Sequence, residues 1–202
     1  SVEKFLIARR LMYWQVYLHK TVLAAEQLLI RVLQRAKELH DKGHKLEASK
    51  PLLYFLENKI TIDNFNEETL NIFAQLDDFD IISAMKHWQH DTDFVLSNLS
   101  EMIINRNLLT IKLKNKPIKK QDLDQHIEKL VNTYNISKKE ARYFVFKGSI
   151  SNQAYQHNHK GINILYKSGK IEDIVNACDQ LNLKALSKPV TKHYICYPKL
   201  KT

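Results

Sequence analysis

Glycine is scarce in this chain: four residues in 202 leave little material for a phosphate-cradling loop, and no Walker A pattern occurs. HExxH, GxSxG and CxxC patterns are missing as well, so no complete catalytic site is written into a local motif. The two cysteines, Cys178 and Cys196, are too few for a disulfide framework. They point to a reducing, cytoplasmic compartment, with both thiols read as small buried hydrophobes. No stretch near 18 residues is both apolar and uncharged, and no signal-peptide pattern appears, which predicts a soluble chain with no membrane association. A hydrophobic content of 44% still allows a real core, enough for one domain or a domain with a small appendage.

Against these absences stands a run from Val2 to Leu39 with neither glycine nor proline. As one helix it would extend roughly 55 to 60 Å, about twice the width of a small domain. The spacing places Arg9, Tyr13, Tyr17 and Lys20 on one stripe, since steps of four, four and three residues return to nearly the same heading. Arg10, Trp14, His19 and Thr21 widen it into a cluster of donors and rings. Two readings stay open: a phosphate-bearing ligand held by arginine and lysine with a ring stacked on tyrosine, or rings packed in a core while the cations snorkel. The chain opens on Ser1-Val2-Glu3-Lys4 without a methionine or a strong cap, which is read as a piece cut from a longer protein.

The run should end at Lys37, His40, Lys42 and Gly43, cations followed by a left-handed cap. Short helices are predicted over Leu52 to Glu57 behind Pro51, Glu67 to Gln75 capped by Asn66, and Phe79 to Trp88 capped by Asp77 or Asp78. Another should start at Asp91 or Thr92 and run through Asn105. From Leu109 to Leu113 the period changes to that of a strand, so a boundary is placed near residue 108, with a helical region at 1–108 and a small basic α+β subdomain at 109–202. In that second part, Leu123 to Tyr134 reads as a helix and Ser137 to Glu140 as a capping box. Tyr143 to Lys147, Ile162 to Tyr166 and His193 to Tyr197 read as strands, and Ile171 to Cys178 as a helix. The fold class is therefore mainly α, a long first helix with a bundle followed by a small α+β subdomain. Charge divides the same way. Residues 1–100 carry 12 Lys and Arg against 14 Asp and Glu, whereas 101–202 carry 19 against 8. The basic half is suited to polyphosphates, nucleic acid or an acidic surface, although the five lysines between Lys112 and Lys120 read as solvated surface.

Two His-Asp pairs, His40-Asp41 and His90-Asp91, call for a test as metal ligands. The first sits at a helix end better explained by capping. The second, with His87 and Asp93, lacks the distant histidine and aspartate that would close a dinuclear shell.

The segment from Ala8 through Arg9, Tyr13, Tyr17, His19 and Lys20 to Val22 resembles the long helix that follows the catalytic core in HD-domain phosphohydrolases, relatives of the deoxynucleoside triphosphate triphosphohydrolases. A second block, Leu76-Asp77-Asp78 through Trp88 to Asn105-Arg106-Asn107-Leu108-Leu109, is similar to the family's later helices, with Leu109 in place of the usual phenylalanine. The resemblance implies a C-terminal portion without the metal-binding core, whose ligands match nothing here. It implies that Arg9 faces substrate phosphate, Tyr17 the sugar or base, with Tyr13 and His19 nearby, and that Lys20 and Arg106 lie at regulatory nucleotide sites between subunits. A divalent metal would belong to the parent enzyme and not to this chain. The expected partners are a nucleoside triphosphate or related phosphate ester, the missing core, and further copies in a homo-oligomer. The alternative is a basic nucleic-acid- or protein-binding module using Lys112 to Lys120 and Lys184 to Lys201.

Overall fold

The computed structural model describes residues 2–152, 162–177 and 190–199. Cys178, Lys184, Lys188 and Lys201 lie outside them. The chain is mostly helical: α1 (Val2–Met12), a π-helical turn (Tyr13–Tyr17), α2 (Lys20–Asp41), α3 (Lys50–Glu57), α4 (Glu67–Phe73), α5 (Asp78–Trp88), α6 (Phe94–Ile104), α7 (Lys120–Tyr134), α8 (Lys138–Phe144) and α9 (Ile174–Ala177). Strands β1 (Thr110–Lys114), β2 (Phe146–Asn152) and β5 (Val190–Tyr197) form a sheet in the order β1-β5-β2. A hairpin pairs β3 (Asn163–Leu165) with β4 (Ile171–Asp173) antiparallel.

The opening run is not one helix. Leu18 donates its backbone N–H to Tyr13 O at 2.7 Å, an i to i−5 bond, and Leu18 and His19 fall outside helical structure before α2 begins. A π turn inserts one residue into the α pattern and rotates everything beyond it by about 100°. The stripe predicted for a straight helix is therefore broken between Tyr13 and Lys20.

Two compact units share the chain. A mixed unit comprises 1–23, 111–123 and 147–195, and a helical unit comprises 24–110, 124–146 and 196–202. In the helical unit α2 buries Leu28, Val32, Arg35, Ala36 and Leu39, the stripe of a surface helix facing its core. Gly43, at φ +83°, ends α2 with both bonds of a Schellman motif, His44 N–H to Leu39 O at 3.0 Å and Gly43 N–H to His40 O at 2.8 Å. Ser49, Asn66 and Asp77 cap α3, α4 and α5 as their sequences predict, and Ser137 with Glu140 forms the capping box of α8. Trp88 is buried and donates Nε1–H to Glu47 O at 2.9 Å, fixing the segment before α3 to the end of α5.

Several boundaries differ from the sequence reading, and three of them show their cause. The cap of α6 is Asp93, which accepts from Leu96 N–H at 2.8 Å, while Asp91 accepts from Asp93 N–H at 2.8 Å and so belongs to the turn before the helix. The strand expected from Tyr143 starts only at Phe146, because α8 runs on to Phe144. The helix expected over Ile171 to Cys178 opens as β4, whose Ile171 pairs with Leu165 across a turn that contains Gly169 at φ +81°.

In the mixed unit, Ile111, Ile118, Ile174, Tyr194 and Ile195 are buried. A Cβ added at Gly148 would overlap the Tyr194 ring, so the ring occupies space beside β2 that a side chain at this position would fill.

Candidate functional site

The mixed unit carries the candidate residues Arg9, Tyr13, His19 and Lys20, and the side chain of Tyr17 lies outside what the structure describes. Arg9 is exposed, and its guanidinium carbon lies 5.8 Å from the centroid of the half-buried Tyr13 ring. One α turn separates the two, so the backbone itself brings them together. His19 and Lys20 are exposed beyond the π turn, where His19 Nδ1 accepts from Thr21 N–H at 3.3 Å and so helps to start α2. Around them Phe5, Leu11, Met12 and Val16 are more than half or about half exposed. Four such side chains on one short segment form an apolar, basic edge unlike scattered surface hydrophobes.

Arg106 belongs to the other unit. It occupies the left-handed C′ position of α6 at φ +55°, with Asn107 N–H on Met102 O at 2.8 Å and Arg106 N–H on Ile103 O at 3.1 Å. This Schellman geometry normally selects glycine. Its side chain is exposed.

The helical unit also contains a charged network that motif reading missed. Arg35, 7% exposed, sets its guanidinium fork on Asp93, with Nε to Oδ1 at 3.0 Å and Nη2 to Oδ2 at 2.5 Å, and Nη1 reaches Glu38 Oε2 at 3.1 Å. Glu38 accepts in addition from Lys139 Nζ at 2.5 Å, Tyr143 Oη at 2.6 Å and Lys42 Nζ at 3.0 Å. The network ties α2, α6 and α8 together. Hydrogen bonds from Lys139 and Tyr143, with those from Lys42 and Arg35, outweigh desolvation and hold the Glu38 carboxyl well below the usual carboxylate range. At Asp93 desolvation pushes the other way, but the bonds from Arg35 and Leu96 N–H and the nearby charges of Arg35 and His44 leave it low as well. Desolvation and the bond to Glu38 raise the Tyr143 phenol. One signal for the network was present in the sequence: Arg35 falls on the apolar stripe of α2, between Val32 and Leu39, where a lone cation needs a partner.

Carboxylates engaged this way are fixed by cations and a helix cap, and they have no open position for a ligand. The histidines do not converge either. His44 Nε2 lies 2.9 Å from Asp91 Oδ2, His87 Nδ1 lies 2.9 Å from Glu47 Oε2, and His90 is exposed. Among the described residues no group of three or more His, Cys, Asp or Glu is placed to hold a metal ion. Cys196 is buried, its thiol pushed up to about 12 by desolvation, and it is inert packing rather than a nucleophile. The lysines from Lys112 to Lys120 are exposed, with Lys114 3.0 Å from Asp122.

Comparison with known proteins adds what the geometry alone does not supply. No family model matches the chain. Over 98% of its length it is 27% identical to the uncharacterized protein YwfO of Bacillus subtilis (strain 168), and over 72% it is 29% identical to the uncharacterized protein MG461 homolog of Mycoplasma pneumoniae. It covers 45% and 33% of those proteins.

Among solved structures it is similar to a phosphohydrolase (BT4208) from Bacteroides thetaiotaomicron VPI-5482, with 45% identity and a TM-score of 0.88 over 98% of this chain. The chain covers 50% of that protein, so it spans about half the length of this phosphohydrolase and of YwfO.

Proposed function

We propose that this chain is the helical, regulatory part of a metal-dependent HD-family nucleotide phosphohydrolase, acting on a deoxynucleoside triphosphate or a related phosphate ester. The observation that carries the reading is the extended likeness to a phosphohydrolase of twice the length, at an identity well above that at which fold alone is shared. The exposed Arg9, beside the half-buried Tyr13 on an apolar edge, supports it, because such an edge suits contact with a further body of protein. The metal ligands are then carried elsewhere in the polypeptide.

In this reading Arg9 chelates phosphate oxygens with its planar fork and offsets their charge, while Tyr13 braces the guanidinium from its ring. Tyr17 faces the sugar or base with His19 nearby, and orientation of this kind can supply a large part of the barrier reduction. Lys20 and Arg106 contact regulatory nucleotide between subunits of a homo-oligomer.

The test is steady-state release of phosphate or triphosphate from a panel of nucleoside triphosphates. The full-length polypeptide should turn over at least one of them with added Mg²⁺ or Mn²⁺, and the 202-residue chain none. Hydrolysis by neither would overturn the proposal. A basic nucleic-acid-binding module would instead retain DNA or RNA on the 202-residue chain, with affinity falling steeply between about 50 and 200 mM salt.

A further inference from the structure

In the helical unit, large apolar side chains stand in water along α4 and α5. Of the seven residues of α4 only Thr69 is buried, its hydroxyl donating to Asn66 Oδ1 at 3.0 Å, whereas Leu70 is half exposed and Phe73 58% exposed. On α5, Phe79 is 79% exposed, and Ile82 is exposed one turn further on. Helix α3 links the two. Phe55 meets Phe73 edge to face with centroids 6.0 Å apart, and Leu53 lines, with Leu46, Phe79, Asp80 and His87, an open groove of about 700 Å³. We propose that this face docks a basic amphipathic helix of a partner protein.

Area comes first. Phe73 and Phe79 alone leave roughly 250 Å² in water, before Leu70 and Ile82 are added. Single exposed hydrophobes are ordinary on a soluble surface, but a patch of a few hundred Å² marks an interaction site. Charge narrows the choice of partner. From Glu57 to Asp80 the sequence has seven Asp or Glu and a single cation, Lys59, in a chain whose formal charge is +9. Asp77 and Asp80 are engaged in the cap of α5, while Glu57, Asp63, Glu67, Glu68 and Asp78 are exposed and pair with no cation among the described residues. First-turn positions suit Glu67, Glu68 and Asp78 to the helix dipole without neutralising them. The face is therefore apolar and acidic, the complement of an apolar and basic one.

Nucleic acid and anionic lipid would meet like charge here. Strand addition needs an unpaired sheet edge, and α3, α4 and α5 offer none, so the occupant must satisfy its own backbone bonds, as a helix does. Its apolar residues at i, i+3, i+4 and i+7 would enter the groove and cover Phe73 and Phe79, with lysine or arginine beside them meeting the carboxylates. The rival occupant is the basic, apolar α1 edge of a second copy, which the hydrolase reading already assigns to the phosphate site. The inference goes beyond that reading, and no turnover enters its test, so failure of either leaves the other standing.

The experiment is fluorescence anisotropy of a labelled leucine–lysine peptide of about 18 residues, long enough to hold a helix, titrated with the full-length polypeptide. Two comparison peptides carry glutamate for every lysine, or the same composition shuffled to remove the helical period. The first peptide should bind with Kd below about 50 μM at about 150 mM salt, and each comparison peptide at least about tenfold more weakly. Phe79→Ala should weaken binding at least about fivefold and Glu68→Gln with Asp78→Asn at least about threefold, all at exposed positions where the fold should persist. Glu128→Gln, on α7 and outside the face, should leave Kd unchanged. The proposal is overturned if the peptide does not reach that affinity, if either comparison peptide binds as well, or if Phe79→Ala has no effect on Kd. It is overturned equally if Phe79→Ala changes the sedimenting mass of the polypeptide without peptide, which would put a second copy on the face.

Discussion

Replacing Asp93 by asparagine separates two roles that one carboxylate performs, because asparagine caps a helix about as well as aspartate but cannot pair with a guanidinium charge. Arg35 would then lose the charge in both arms of its fork while keeping Glu38. Breaking a buried ion pair by removing one partner costs about 3 to 5 kcal/mol. The retained bond to Glu38 and the partial exposure of Asp93, whose side chain is 14% accessible, lower the expectation to about 2.5 kcal/mol. For a chain of this size that corresponds to a fall in Tm of roughly 5 to 10 °C.

The pH dependence provides a second readout. A carboxylate held below its ordinary value contributes stability above about pH 4, and that contribution is lost as pH falls through its folded value. Asp93 is held low, so the gap between the parent chain and Asp93→Asn should stay constant from about pH 5 to 8 and narrow below about pH 4. Urea unfolding across that range measures it. A gap at pH 7 under about 0.5 kcal/mol, the scatter of ordinary surface changes, would refute the account of the network, as would a gap that persists unchanged at pH 3.

Two further substitutions test backbone geometry. Arg106→Gly should stabilise the chain by about 0.5 to 1 kcal/mol, since it relieves a left-handed residue at a Schellman cap, whereas Arg106→Ala should not; thermal melts of the three proteins decide it. Gly148→Ala should lower Tm by several degrees, an overpacking cost of about 1 to 3 kcal/mol from the Tyr194 ring, and Gly148→Ala with Tyr194→Leu should recover part of the loss.

Most of the helical architecture was legible because it is written in short-range chemistry. Ser49 before Pro51, Asn66, Asp77 and the Ser137–Glu140 box each announce a helix start through a bond closed within three residues. Asp93 was missed because three candidate caps, Asp91, Thr92 and Asp93, stand together, and the pairing of Asp93 with Arg35, 58 residues away, carries no local signal. The break at Tyr13–Tyr17 leaves no composition signal, since none of its residues is glycine or proline. At the other end of the chain, Ile171 to Asp173 was read as helical because three residues are too few for alternation to show against a helical continuation through Ala177. For the candidate site, sequence alone placed Arg9 beside Tyr13, as local helix geometry requires. The pairing of Arg35 with Asp93 and Glu38 with Lys139 and Tyr143 is tertiary, and only the polar residue on the α2 stripe hinted at it.

The central claim, that the exposed arginine of the first helix meets substrate phosphate in a hydrolase, is tested most directly by Arg9→Ala in the full-length polypeptide, with kcat and KM measured separately on its preferred nucleoside triphosphate. Loss of a charge-assisted contact to phosphate predicts a fall in kcat/KM of more than about tenfold with the fold intact. Near-normal kinetics in a folded Arg9→Ala protein would contradict it.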